Sequence, residues 1–190
     1  GGIYYTTGDI SPYTGTAVRI AEYIIMPERT NYADGNAGTT EIIGCGVFCH
    51  EFGHALGLPD LYDTGGYAIS GNGIGNFSLM AGGSWGGNGN TNARPSALDV
   101  WCRRYLGWAA PTLITTDSLV TVNSIMATAV GSSYKLAKLG RDTTKQYWLV
   151  ENRFKNAQGP VSLVPWDSLI PGQGLAVYHI DTTYTSGTYF

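Results

Sequence analysis

Residues 50–54 read His-Glu-Phe-Gly-His, and no other five residues restrict the structure of this chain so tightly. Two histidines four apart project from the same side of an α-helix, so both imidazoles can reach one ion at the roughly 2.0–2.1 Å of a zinc–nitrogen bond. Glu51 follows the first histidine directly and stands beside the ion, where its carboxylate can take a proton from a polarised water. His50 and His54 are therefore expected as metal ligands, zinc as the metal and Glu51 as the general base. A helix is expected from Thr40 to about Leu56, capped by Thr39 or Thr40, favoured at its positive end by Glu41, and stopped by Gly57 and Pro59. Ile42, Ile43, Val47, Phe48, Phe52 and Leu56 are expected to bury its other faces and exclude water behind the site.

A catalytic zinc takes three protein ligands and leaves a further position open. The chain continues Ala55-Leu56-Gly57-Leu58-Pro59-Asp60. Gly57 can adopt positive φ at little cost, which lets the chain leave the helix sharply and return Asp60 toward the metal. A gluzincin-like arrangement would take a glutamate from a later helix; Glu151 is the one glutamate after Glu51, and it sits in a strand-like run. Asp63 suits a loop-fixing acid better. Asp60 is thus the expected third ligand. Downstream, Asn76-Phe77-Ser78-Leu79-Met80-Ala81-Gly82-Gly83 places Met80 among turn-forming residues. After a glycine-bent zinc helix it resembles the Met-turn of the metzincins, a methionine packed against the ligand histidines without binding the metal.

Elsewhere, residues 3–5, 18–26, 119–122, 134–139, 146–151 and 174–180 read as strands, and a second helix is expected from Pro95-Ser96 to Gly107. Residues 63–95 form a glycine- and asparagine-rich stretch with little periodicity, a length usually reserved for functional loops. The net charge of −3 and the lack of a basic stripe argue against a nucleic-acid partner. No apolar run approaches the roughly 20 residues of a membrane span. Only 13% of residues are charged, with 27 glycines and 13 tyrosines making up the surface, a composition typical of exported hydrolases. Cys45, Cys49 and Cys102 are expected as small, buried, reduced side chains; a bridge from one of the first two to Cys102 is the alternative, and thiolate ligation of zinc the least favoured. Asp63, Asn72 and Asn76 could offer oxygens to calcium, but no calcium-loop spacing supports such a site.

Residues 50–63, HEFGHALGLPDLYD, are similar to the active-site segment of the immune inhibitor A family of secreted bacterial metallopeptidases. The likeness continues through Ser78-Leu79-Met80-Ala81-Gly82-Gly83-Ser84-Trp85, Arg94-Pro95, Leu106-Gly107-Trp108, and residues 147–153 and 171–181. The resemblance implies an exported, zinc-dependent endopeptidase acting on protein or peptide substrates, made with a propeptide and further modules outside this chain. The expected fold is α+β: a metzincin-like core over residues 1–110 with active-site helix, Met-turn and later helix, followed by a strand-rich region over residues 111–190 packed on it. Fewer than fifty residues precede His50, so the N-terminal part of the catalytic domain is expected to be missing.

Several roles stay open at this level. The strand at residues 18–25 is a candidate edge for an extended peptide, or an ordinary interior strand. Tyr62 and Tyr67 are both candidates for steadying a tetrahedral intermediate. His179 with Asp181 is either an accessory group or a structural hydrogen-bond pair. The rival to an enzyme is a peptidase-like module kept for adhesion or binding, against which intact His50, Glu51 and His54 count. A carbohydrate-binding β domain would leave the zinc motif unexplained.

Overall fold

The computed structural model describes residues 5–10, 17–20, 23–26, 42–64, 71–86, 94–125, 133–136, 145–155, 166–167 and 169–182. Helices and strands are both present, as expected of an α+β chain. β1 (Tyr5–Ile10) and β2 (Ala17–Ile20) form an antiparallel pair. Helix α1 spans Cys45–Ala55, and α2 spans Val100–Tyr105. Between them the chain makes short 3-10 turns at Gly75–Phe77 and Gly82–Trp85. β3 (Thr112–Ile114), β4 (Ser133–Leu136), β5 (Gln146–Arg153) and β6 (Gly174–Asp181) form a sheet in that order, with β3 parallel to β4 and the other pairs antiparallel.

Both helices end by one mechanism. The N–H of Gly57 bonds to the carbonyl of His54 at 2.9 Å and that of Leu58 to Gly53 at 3.0 Å, with Gly57 at φ 90°. In α2, Gly107 at φ 74° bonds to Arg104 at 3.0 Å while Trp108 bonds to Arg103 at 2.7 Å. These are Schellman closures, which satisfy the last carbonyls and reverse the chain at a left-handed glycine. The bend expected at Gly57 is present.

The starts of the helices differ from expectation. α1 begins at Cys45, with Ile43 and Gly44 outside it and Gly44 extended at φ −69°, ψ 169°. Thr39, Thr40 and Glu41 lie outside the described residues. The β-branched pair Ile42-Ile43 disfavours helix, and glycine is an acceptable N-cap. α2 starts at Val100 rather than near Pro95, because Asp99 caps it, accepting from the N–H groups of Trp101 at 2.8 Å and Cys102 at 3.1 Å. Residues 95–98 are not helical.

Two strand expectations are corrected. Residues 119–122 are not in a strand, and Leu119 is fully exposed; the sheet takes Thr112–Ile114 instead. A β-prone run becomes a strand only where a partner edge meets it. Within residues 18–26, strand ends at Ile20 and residues 23–26 are irregular. Of the strand expected over residues 3–5, Tyr5 lies in β1, which runs to Ile10, and residues 3 and 4 lie outside the described residues.

The core has two clusters joined through α2. Leu58, Met80 and Cys102 form one, with Leu61, Leu98, Trp101 and Leu106 against it. Val100, Tyr147 and Leu149 form the other, with Trp101, Tyr178 and Ile180. Trp101 touches both, so α2 couples the layer beneath α1 to the sheet. Beside it, fully buried Arg153 donates from Nε to Asp167 Oδ2 at 2.8 Å and from Nη1 to Glu151 Oε1 at 3.0 Å. Burial alone would lower the pKa of Arg153, but Asp167 and Glu151 outweigh it and hold the guanidinium charged.

The expected apolar jacket of α1 is met only in part, by buried Ile43 and half-buried Val47. Phe48, Phe52 and Leu56 are exposed, as is Ile42 before the helix, and the residues α1 buries are Gly46, His50 and Gly53. Small residues let the helix lie directly on the turn beneath it, which leaves its large side chains facing outward. Cys45 and Cys49 are likewise exposed, contrary to expectation, while Cys102 is buried; all three are unbridged, as expected.

Candidate metal centre and active site

His50 and His54 leave α1 on one side, with ring centroids 4.7 Å apart and planes at 88°. Their Nε2 atoms are 3.2 Å apart. Once Gly57 has turned the chain, Asp60 Oδ1 comes to 3.1 Å from His50 Nε2 and 3.2 Å from His54 Nε2. The three atoms form a nearly equilateral triangle. Among the described residues these side chains make a group with the composition and spacing to hold a metal ion.

The partners of the other ring nitrogens decide what the triangle can do. His50 Nδ1 lies 2.8 Å from the carbonyl of Leu79, and His54 Nδ1 lies 2.8 Å from the carbonyl of Leu58. A carbonyl only accepts, so each Nδ1 donates its hydrogen, and in the neutral ring the Nε2 lone pair then faces the other ligand atoms. Asp60 Oδ1 is buried and has no hydrogen-bond donor. With both rings neutral, three acceptors converge there, an arrangement that costs energy until a cation enters. Tetrahedral ligands at zinc distances lie about 3.3–3.4 Å from one another, close to the spacing present. The residues fit a divalent ion with nitrogen and oxygen ligands.

Two other carboxylates considered as ligands are placed elsewhere. Glu151 is fully buried with both oxygens engaged: it accepts from Arg103, from Arg153, and from the Tyr178 hydroxyl at 2.9 Å. Asp63 is exposed and lines the cleft.

Met80 is fully buried under α1. A Cβ at Gly53, between the two histidines, would lie 2.5 Å from its sulfur. The surrounding turn ties several parts together. Leu79 accepts from His50; the Met80 carbonyl accepts from the N–H of Leu61 at 2.8 Å, next to Asp60. Ser78 Oγ accepts from the Met80 N–H at 3.1 Å and donates to Asp99 Oδ2 at 2.7 Å. One turn therefore supports both His50 and the Asp60 segment and is anchored to the cap of α2. Sequence reasoning singled out Met80 but missed Ser78 and Asp99. An aspartate just before a helix start is a capping signal that could have found Asp99.

A cleft of about 650 Å³ opens beside His50 and Glu51, walled by Val47, Tyr62, Asp63 and Trp85. Tyr62 stacks toward His50, ring centroids 6.4 Å apart. Partial burial first, then the Asp60 carboxylate as hydrogen-bond acceptor and charge, and finally Glu51, raise the pKa of its phenol. Tyr62 therefore stays protonated at neutral pH and can donate. Tyr67 lies outside the described residues. Asn72 and Asn76 line the same cleft. His179 stands on β6 opposite Trp148, rings 4.5 Å apart, and is not part of the His50–His54–Asp60 group.

Among curated proteins, residues of this chain are 45% identical over 62 positions to the pre-pro-metalloprotease PrtV of Vibrio cholerae serotype O1, covering 32% of this chain and 6% of that protein. They are 42% identical over 76 positions to immune inhibitor A of Bacillus thuringiensis subsp. alesti, covering 40% of this chain and 9% of that protein. The aligned stretches thus span less than a tenth of either relative. The family model for the immune inhibitor A peptidase M6 catalytic domain matches residues 3–109, more than half of the chain and the whole of the site just described. The chain belongs to the immune inhibitor A peptidase M6 family.

Proposed function

We propose that this chain is the catalytic core of an exported zinc endopeptidase, with His50, His54 and Asp60 holding the metal and Glu51 acting as general base. The observation that carries this reading is the buried, donor-free Asp60 Oδ1 facing two imidazole lone pairs at 3.1 and 3.2 Å. Bound there, zinc would supply a Lewis acid for the scissile carbonyl and for the attacking water. The carbonyls of Leu79 and Leu58 hold each Nδ1 and so aim both Nε2 atoms at the metal position. The Glu51 carboxylate, on the cleft wall beside His50, takes the proton from water during attack and hands it to the leaving amine. Tyr62 donates from its hydroxyl toward the developing oxyanion. Met80 sets the height of α1 over the turn, in the manner of a metzincin Met-turn. Residues 111–190 belong to the same domain, and a propeptide and further modules accompany it in the whole protein. The substrates are proteins or peptides.

The test is zinc stoichiometry by mass spectrometry on folded Asp60→Ala, Asp63→Ala and Glu151→Gln proteins, alongside cleavage of a quenched peptide with and without chelator. Loss of zinc and cleavage in Asp60→Ala, with zinc kept in the other two, is expected. Full zinc in Asp60→Ala would overturn the ligand set, and cleavage that resists chelation would overturn the reaction.

A further inference from the structure

A second hollow, of about 630 Å³, lies on the opposite flank of the triad, where His54 and Asp60 form its inner wall. Trp101, Tyr105 and Tyr147 supply the other walls, and Arg104 stands among them. Arg104 is exposed, yet it is held in place. Its Nη1 donates to the Tyr147 hydroxyl at 3.1 Å, and its guanidinium carbon lies 5.4 Å from the centre of that ring. Tyr147 itself is 3% exposed, a rigid base for the contact. Trp101 and Tyr105 stack at 5.5 Å and close the side. The neighbouring Arg103 is consumed by Glu151 in a partly buried pair, so two adjacent arginines on one helix have different fates. No carboxylate pairs with Arg104 among the described residues.

The first cleft has the opposite character. Its wall carries Glu51 and Asp63 and no lysine or arginine among the described lining residues. The triad thus borders an acidic hollow at His50 and a hollow with a preoriented guanidinium at His54 and Asp60. Arginine held flat by an aromatic ring presents its remaining N–H groups as a fork suited to a carboxylate.

We infer that the Arg104 hollow is a substrate subsite for a peptide carboxylate, either a glutamate or aspartate side chain near the scissile bond or a free C-terminus. The inference rests on the proposed peptidase reading and gives it a selectivity. An extended chain advances about 3.3 Å per residue, so the preferred carboxylate falls within a few residues of the cleaved bond.

The experiment uses end-blocked quenched peptides in which each position within about four residues of the scissile bond carries glutamate or glutamine. Wild type should cleave the glutamate peptide with about tenfold higher kcat/KM at one position, and Arg104→Met should bring that ratio to about one. Arg104→Glu should reverse the preference toward lysine there. Free against amidated C-termini separate the two carboxylate sources. A parallel arm measures binding of the same labelled peptides to Glu51→Ala protein and to its Arg104→Met counterpart, with zinc content determined on both. A wild type that does not distinguish glutamate from glutamine at any position and gains nothing from a free C-terminus, or a ratio that survives Arg104→Met, overturns the subsite. Carboxylate-selective binding that depends on Arg104, without chelator-sensitive cleavage, would uphold the subsite and overturn the peptidase reading.

Discussion

Removing the hydroxyl of Ser78 should loosen the metal centre from below. Ser78 is fully buried, donates to the Asp99 carboxylate at 2.7 Å and accepts from the Met80 N–H at 3.1 Å. A hydrogen bond to a charged group contributes about 1.5–3 kcal/mol, and the stranded Met80 N–H adds a further desolvation cost, so Ser78→Ala should destabilise by about 2–4 kcal/mol. For a chain of this size that corresponds to a fall in Tm of roughly 5–15 °C. The cap of α2 survives, because Asp99 Oδ1 still accepts from Trp101 and Cys102. The Leu79 carbonyl on the loosened turn orients His50, and groups orienting a ligand histidine typically affect metal affinity by about 10–100-fold. The assay is thermal unfolding by circular dichroism in chelator, followed by zinc competition against a chromophoric chelator. Ser84→Ala is the control, since that buried hydroxyl makes one long bond of 3.3 Å, to the Ala81 carbonyl. A metal-free Tm within about 2 °C of wild type, with zinc affinity unchanged, would refute the reasoning that Ser78 carries the turn.

Four other outcomes are expected. Glu51→Ala should keep zinc and lose about 10²–10⁴-fold in kcat; metal loss measured by mass spectrometry would reassign it as a ligand. Tyr62→Phe should keep zinc and lower kcat by about 10²–10³-fold with a smaller change in KM, and an unchanged kcat would remove it from the mechanism. Met80→Leu should cost under about 1.5 kcal/mol in urea unfolding and leave zinc bound. Gly57→Ala forces a side chain into φ 90°, which should cost about 1–2 kcal/mol and weaken zinc binding by displacing Asp60; equal zinc affinity would show that the turn tolerates a Cβ.

The convergence of His50 and His54 and the turn after them were legible because their geometry is local. A four-residue spacing on a helix fixes two Nε2 atoms within 3.2 Å, and a glycine that accepts positive φ fixes where the helix ends. The choice of Asp60 over Glu151 followed from the same local bend, and the fold supplies an independent reason: Glu151 is held by Arg103, Arg153 and Tyr178. Where expectation failed, it had assigned burial or pairing from residue type alone. Phe48 and Phe52 look like a core face yet are exposed, since Gly46 and Gly53 carry the contact of α1 with its surroundings. Residues 119–122 look like a strand yet form none; Val122 is met by the Asn152 side chain, which donates to its carbonyl at 3.0 Å.

The sequence by itself determined that two imidazoles and a carboxylate would meet at the end of one helix, since bond geometry over eleven residues allows little else once Gly57 bends. Only the tertiary structure decided how these groups are oriented toward one another. That depends on the carbonyl of Leu79, 29 residues from His50, arriving at Nδ1, and on burial that denies Asp60 Oδ1 any donor. It depends equally on Asp99 and Ser78 holding that carbonyl's turn in place. Backbone carbonyls are identical at every position, so no residue letter records which one a folded chain will deliver to a given nitrogen.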